Sequence, residues 1–174
     1  MPTHREGFQT LPTGGRTESG EKKELDKVLN HFELSLNTMT AYFGISKSKR
    51  GEFDQEVDSV RKVLNNYNVT LEVFVDKYEF TSQQEKEMME TAFSEIDNCE
   101  LMIVELTTKA IGVGVEVGYA KAKNKPIIYL KKGDAKYSTT VGGSANHFIE
   151  YSDEGELETK LEAVMDELKK TTLT

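Results

Sequence analysis

The stretch Gly112-Val113-Gly114-Val115-Glu116-Val117-Gly118-Tyr119-Ala120 carries the strongest chemical signal in the chain. It joins an apolar run to a helical pattern, and it sets one carboxylate among glycines. A carboxylate so placed can attack, or stabilise, a developing oxocarbenium carbon, which is what glycosidic chemistry demands. Gly112 and Gly114 leave space for a ring-shaped substrate to come within bonding distance. With Glu116 in the first helical turn, the helix N-terminus is expected to favour its ionised form by about 0.3–1 kcal/mol, making it a ready anion. Two phosphate-loop readings fail on spacing. A dinucleotide fingerprint needs G-x-G-x-x-G in the first strand-to-helix turn, whereas this is G-x-G-x-x-x-G after the third strand, and no G-K-[ST] is present. A blander reading stays open, in which the glycines only let a helix pack closely on a sheet and Glu116 only answers the helix dipole.

A second group, Ser46-Lys47-Ser48-Lys49-Arg50-Gly51, follows the first strand pattern and holds the chain's one local concentration of positive charge. Hydroxyls and cations ahead of a helix beginning near Glu52 form a cradle suited to a monophosphate. The alternative is an ordinary solvated loop. His4, His31 and His147 are scattered without paired spacing, so no metal site is expected, and the proposed chemistry needs no cofactor. Cys99 is the only cysteine, which excludes an internal disulfide and a multi-cysteine zinc site and fits a reducing compartment.

These groups must be held by elements, and the periodicities supply them in an orderly alternation. Residues 1–20 hold two of the three prolines and no apolar period, and are expected to be a disordered tail. Leu25, Val28, Leu29, Phe32 and Leu36 mark an amphipathic helix over residues 21–37. A short strand at Met39, Ala41 and Phe43 follows, then a helix at Phe53, Val57, Val60 and Leu64. Val69, Leu71, Val73 and Val75 alternate as a strand, and Ser82 with Glu85 reads as a capping box opening the next helix. The buried runs Leu101–Val104 and Pro126–Leu130 flank the glycine-rich helix, and a strand at Phe148 and Ile149 precedes a helix on Leu157, Leu161, Val164 and Leu168. Five strand–helix alternations predict a three-layer, Rossmann-like (flavodoxin-like) α/β sandwich with a five-stranded parallel sheet over residues 38–174. Ligands in such sheets bind beyond the carboxyl ends of the strands, here residues 44–51, 76–81, 105–116 and 131–145.

The 174 residues suit one domain with an appended tail. A net charge of -8, with eight acids against three lysines from Glu150 onward, argues against a nucleic-acid polymer as partner. No apolar run approaches the roughly 18 residues of a membrane span, and residues 1–20 lack the apolar core of a secretory signal. A cytoplasmic location is expected, with the nucleus left open.

Tyr42-Phe43-Gly44, then Leu106, Thr107, Ile111 to Ala120 and Asn124-Lys125-Pro126-Ile127-Ile128, resemble the nucleoside 2-deoxyribosyltransferase family over roughly residues 38–151. Within it the nearest likeness is the branch of 2′-deoxynucleoside 5′-monophosphate N-hydrolases. The resemblance implies a homodimer, and it makes Glu116 the nucleophile at C1′ of the sugar; the lack of an apolar span separately leaves no membrane partner expected. It also implies 5′-phosphate binding by Ser46, Lys49 and Arg50 beside Gly44, with Ser138 or Ser144 bringing a hydroxyl across the dimer interface. Tyr42 takes the place of an aromatic group near the catalytic carboxylate. Two positions depart from the family pattern: Ala92 stands where an Asp contacts sugar and base, and Ala110 where an Asp or Ser is usual. Glu85, Glu87, Glu90, Asp97 and Asp76 are the candidates to replace the missing acid. Three functions follow for test: hydrolysis of a (deoxy)nucleoside 5′-monophosphate to base and sugar 5-phosphate, a non-catalytic nucleotide-binding module, or deoxyribosyl transfer between bases.

Overall fold

The computed structural model describes residues 38–172 together with Lys23. The tail expected over residues 1–20 and, apart from Lys23, the helix expected over residues 21–37 lie outside them.

Alternating periods become alternating elements: β1 (Met39–Gly44), a 3-10 segment (Lys47–Phe53), α1 (Asp54–Asn65), β2 (Val69–Val73), α2 (Phe74–Lys77) and α3 (Glu85–Asp97). They continue as β3 (Leu101–Glu105), α4 (Ile111–Ala122), β4 (Ile127–Lys132), α5 (Thr139–Ser144), β5 (His147–Tyr151) and α6 (Glu154–Thr172). The sheet order is β2-β1-β3-β4-β5, parallel throughout. This is the flavodoxin-like order, and its direction of winding reverses between β1 and β3.

The pleat of each strand divides its side chains between two cores. Ala41 and Phe43 of β1 point into the core closed by α1 and α6, through Val57, Val60, Leu157 and Leu161. Tyr42 points into the other, with Ala92 and Ile96 of α3, Val113 and Val117 of α4 and Val141 of α5. All five residues of β3 are buried, as a central strand covered on both faces requires, whereas edge strand β2 leaves Thr70 exposed.

Local signals set the joints. α4 ends with Asn124 at φ 57°, the Asn124 N–H bonded to the Lys121 carbonyl and the Lys125 N–H to the Ala120 carbonyl. Those two bonds form a Schellman cap that turns the chain into β4. The expected capping box at Ser82 is displaced. α3 begins at Glu85, and the Gln84 side chain accepts from the Thr81 N–H at 3.0 Å while the Gln84 N–H bonds the Thr81 carbonyl. Only the return half of a capping box is present, the Gln84 side chain reaching back to the Thr81 N–H, while the Gln84 N–H closes a backbone turn.

Candidate active site

The segments that leave β1, β2 and β3 converge with α3 around a cleft of about 260 Å³. Ile45, Ser46 and Lys47 come from the first, Phe74, Val75, Tyr78 and Phe80 from the second, and Ala110, Gly112, Val113 and Glu116 from the third. Met88, Met89 and Ala92 close it from α3. The cleft thus lies at the reversal between β1 and β3, the ligand position of this topology. Of the strand ends singled out in the sequence, only residues 131–145 contribute nothing to its lining.

Glu116 is 8 % exposed, and burial among apolar groups pushes its carboxyl up to about 7, the Tyr42 phenol acting in the opposite direction. The ready anion expected from the helix dipole is therefore corrected. α4 begins at Ile111, so Glu116 sits in the second turn, beyond the turn where the dipole acts, and lost hydration dominates.

Gly44 is packed behind the carboxylate. A Cβ there would stand 3.3 Å from Glu116 Oε2 and 3.3 Å from Met102 Cε, so this glycine lets the carboxylate approach the end of β1. Gly112 lines the cleft, and a Cβ on Gly112, Gly114 or Gly118 would meet nothing within 4 Å. Close helix-to-sheet packing is thus not what these three glycines provide.

Tyr42 is 1 % exposed, with its ring 5.9 Å from that of Phe74. Burial, then the neighbouring Glu116 charge, raises its phenol well above the ordinary tyrosine range. The two groups are close enough to couple electrically, yet the phenol oxygen makes no hydrogen bond of acceptable geometry.

The basic segment is a 3-10 turn rather than an open loop. Ser46 and Lys47 face the cleft, and Lys47 has no ion-pair partner among the described residues. Lys49 instead pairs with Glu52 at 2.6 Å. Arg50 binds Asp54 at 2.5 Å and Asp76 at 2.8 Å. Ser138 caps α5, accepting from the Val141 N–H at 3.4 Å, and Ser144 donates to the Thr140 carbonyl at 3.0 Å. Neither serine lines the cleft.

None of the acids considered as replacements lines the cleft either. Asp76 is held by Arg50, and Asp97 accepts from Tyr119 at 2.8 Å and pairs with Lys123 at 2.9 Å. Glu85, Glu87 and Glu90 are exposed. Sequence reasoning missed the aromatic wall of Phe74, Tyr78 and Phe80, whose ring centroids lie 5.2–6.1 Å apart. The signal was present as three aromatics within seven residues at a strand end. The Tyr78 hydroxyl donates to Glu95 at 2.5 Å, which fixes the ring's edge.

The junction carrying Glu116 is stapled from the opposite face of the sheet. The buried Glu105 accepts from the Thr107 N–H at 3.1 Å and from its hydroxyl, and Thr107 Oγ1 accepts from the Lys132 N–H at 2.8 Å. Desolvation pushes Glu105 up to about 7 as well.

A family model described as nucleoside 2-deoxyribosyltransferase matches residues 42–165. Among solved structures, the fold is similar to that of Clostridium botulinum CMP N-glycosidase BcmB, at 18 % identity and a TM-score of 0.53 over 70 % of this chain and 97 % of that one. It is also similar to a 2-deoxyribosyltransferase from Bacillus psychrosaccharolyticus, at 12 % identity and a TM-score of 0.52 over 68 % of this chain and 90 % of that one. No curated protein sequence matches the chain.

Proposed function

Since the chain belongs to the nucleoside 2-deoxyribosyltransferase family, we propose that it hydrolyses the N-glycosidic bond of a (deoxy)nucleoside 5′-monophosphate, with Glu116 as the nucleophile. The observation that carries this reading is a buried carboxyl in the wall of an apolar cleft at the sheet's switch point. In that position an ionised Glu116 is shielded from water and faces a space large enough for a sugar. It attacks C1′, the base departs, and water then cleaves the glycosyl ester to give sugar 5-phosphate. Lys47 and Ser46 on the rim suit the 5′-phosphate. Gly112 keeps one side of the cleft open for the ring, and Gly44 keeps room for the carboxylate.

Lys49 and Arg50, already paired with carboxylates, act here by ordering the turn that presents Ser46 and Lys47. A homodimer and a cytoplasmic location belong to the same proposal. No described helix is long and apolar enough to cross a membrane. A second reading draws on Ala92 and Ala110, both on the cleft wall: a nucleotide-binding module without turnover. Quantifying free base from a panel of nucleoside 5′-monophosphates, with Glu116→Gln in parallel, separates the two. The enzyme releases base and the variant does not, whereas a binding module gains thermal stability from nucleotide and releases nothing. An added acceptor base that yields a new nucleoside would mark a transferase.

A further inference from the structure

We propose that the substrate of this cleft is a pyridinium-type nucleotide, an N-glycoside whose leaving ring already carries a positive charge and departs without being protonated. This rests on the glycosidase reading and narrows its substrate class.

The argument begins with the leaving group. A neutral base linked through nitrogen leaves as an anion unless an acid protonates it, and such an acid typically contributes about 10²–10⁴ in rate. Among the described residues the cleft has one carboxyl, Glu116, which the attack itself occupies. The other titratable groups facing it are poor donors to a ring. Lys47 lies exposed at the rim, Tyr78 gives its hydroxyl proton to Glu95, and Tyr42 on β1 is buried behind. α3 presents only Met88, Met89 and Ala92. A cationic ring removes the requirement, because the electron pair of the breaking bond neutralises it.

The same walls suit a cation. Phe74, Tyr78 and Phe80 line the cleft as packed rings, with the Lys77 ammonium already 5.5 Å from the Tyr78 ring centroid, in an apolar setting where attraction between a cation and aromatic rings is strongest. Glu116 supplies the one opposite charge. Its carboxyl, pushed up to about 7 by apolar surroundings, is drawn back to the ionised form by a fixed cation beside it, so binding releases a proton near neutrality.

The reaction balances without a co-reactant other than water. The C1′–N bond breaks with its electron pair going to the ring nitrogen, and a Glu116 oxygen bonds C1′. Water oxygen then takes C1′, the ester C–O pair returns to the carboxylate, and the water proton goes to solvent. One water is consumed and one proton is released.

The test compares nicotinamide mononucleotide, its uncharged dihydropyridine form and cytidine 5′-monophosphate, using the full chain, Glu116→Gln and Phe80→Leu, with the freed ring measured by chromatography. Release from the pyridinium nucleotide is expected to exceed that from cytidine monophosphate by about 10²-fold or more. The dihydropyridine form, close in size but uncharged, is expected to survive, and Glu116→Gln to release nothing. Phe80→Leu raises KM for the cationic substrate about 2–30-fold, the range of a cation–aromatic contact, with kcat less affected. Faster, Glu116-dependent cleavage of cytidine monophosphate or of the dihydropyridine form overturns the charge argument and leaves the glycosidase standing. If no ring is released from any of the three, this inference falls, and base release from the wider panel of nucleoside 5′-monophosphates decides the glycosidase reading separately.

Discussion

At the scale of single residues, the site turns on how much hydration Glu116 has lost. A carboxyl at about 7 is half ionised near neutrality, and in the proposed reaction only the ionised form attacks C1′. The rate, kcat/KM, is therefore expected to rise with pH and level off above about 7, a limb that a pH profile on an uncharged-base or pyridinium nucleotide will record. A limb near 4.5 would mean that the carboxyl is hydrated in the free enzyme. Gly44→Ala tests the close approach behind it. The new methyl has to displace the Glu116 carboxylate by a few tenths of an ångström, a movement the far end of a side chain can make cheaply. Turnover should fall on the order of 10-fold or more while the melting temperature changes little, because positioning errors cost rate more than stability. Glu116 as the candidate carboxylate was legible in its glycine-flanked setting, and the structure places it in the cleft wall. Its protonation was not legible, since burial comes from β1, α2, α3 and the β2–α3 segment, none of which is local in sequence.

Elements obeyed their periodicities and departed from expectation at their ends. Strands β1 to β5 and helices α1, α3, α4 and α6 follow apolar spacing that the sequence displays openly, because cover on both faces makes the central strands continuous apolar runs, the half-covered edge strand β2 alternates with period 2, and helices packed on one side repeat with period 3.6. The basic segment forms a 3-10 turn that no apolar period announces. Its tight 3-10 turn is held by the pairs of Lys49 with Glu52 and Arg50 with Asp54 and Asp76, and the last of these spans 26 residues. The Thr107 staple on Glu105 is equally non-local on its far side, where it reaches Lys132. Within α4, Gly118 is exposed, helical and free of neighbours at its Cβ position. Gly118→Ala is accordingly expected to stabilise the fold by about 0.4–1 kcal/mol, seen as a higher midpoint in denaturant with unchanged turnover. A loss of stability there would mean that the glycine meets a partner surface.

For the whole molecule, sheet order decides where chemistry can occur. Strands β1 and β3 lie side by side, but the chain leaves them toward opposite faces of the sheet, which opens a crevice at their carboxyl ends. That location could be stated from the alternation of elements alone, whereas the aromatic wall that shapes the crevice needed the fold. Exposed apolar residues elsewhere, Ile111 and Val115 on α4 and the Tyr137–Phe148 pair, offer surface for the proposed second copy. Light scattering is expected to return twice the mass of one chain, and Val115→Lys to lower it. The central claim, that Glu116 breaks an N-glycosidic bond, is tested most directly by incubating the protein with nucleoside 5′-monophosphates of neutral and pyridinium rings and measuring the freed ring. Release that falls on the order of 10³-fold or more in Glu116→Gln, with the fold intact, is the predicted result. Equal release by the variant, or none by either protein, would contradict it.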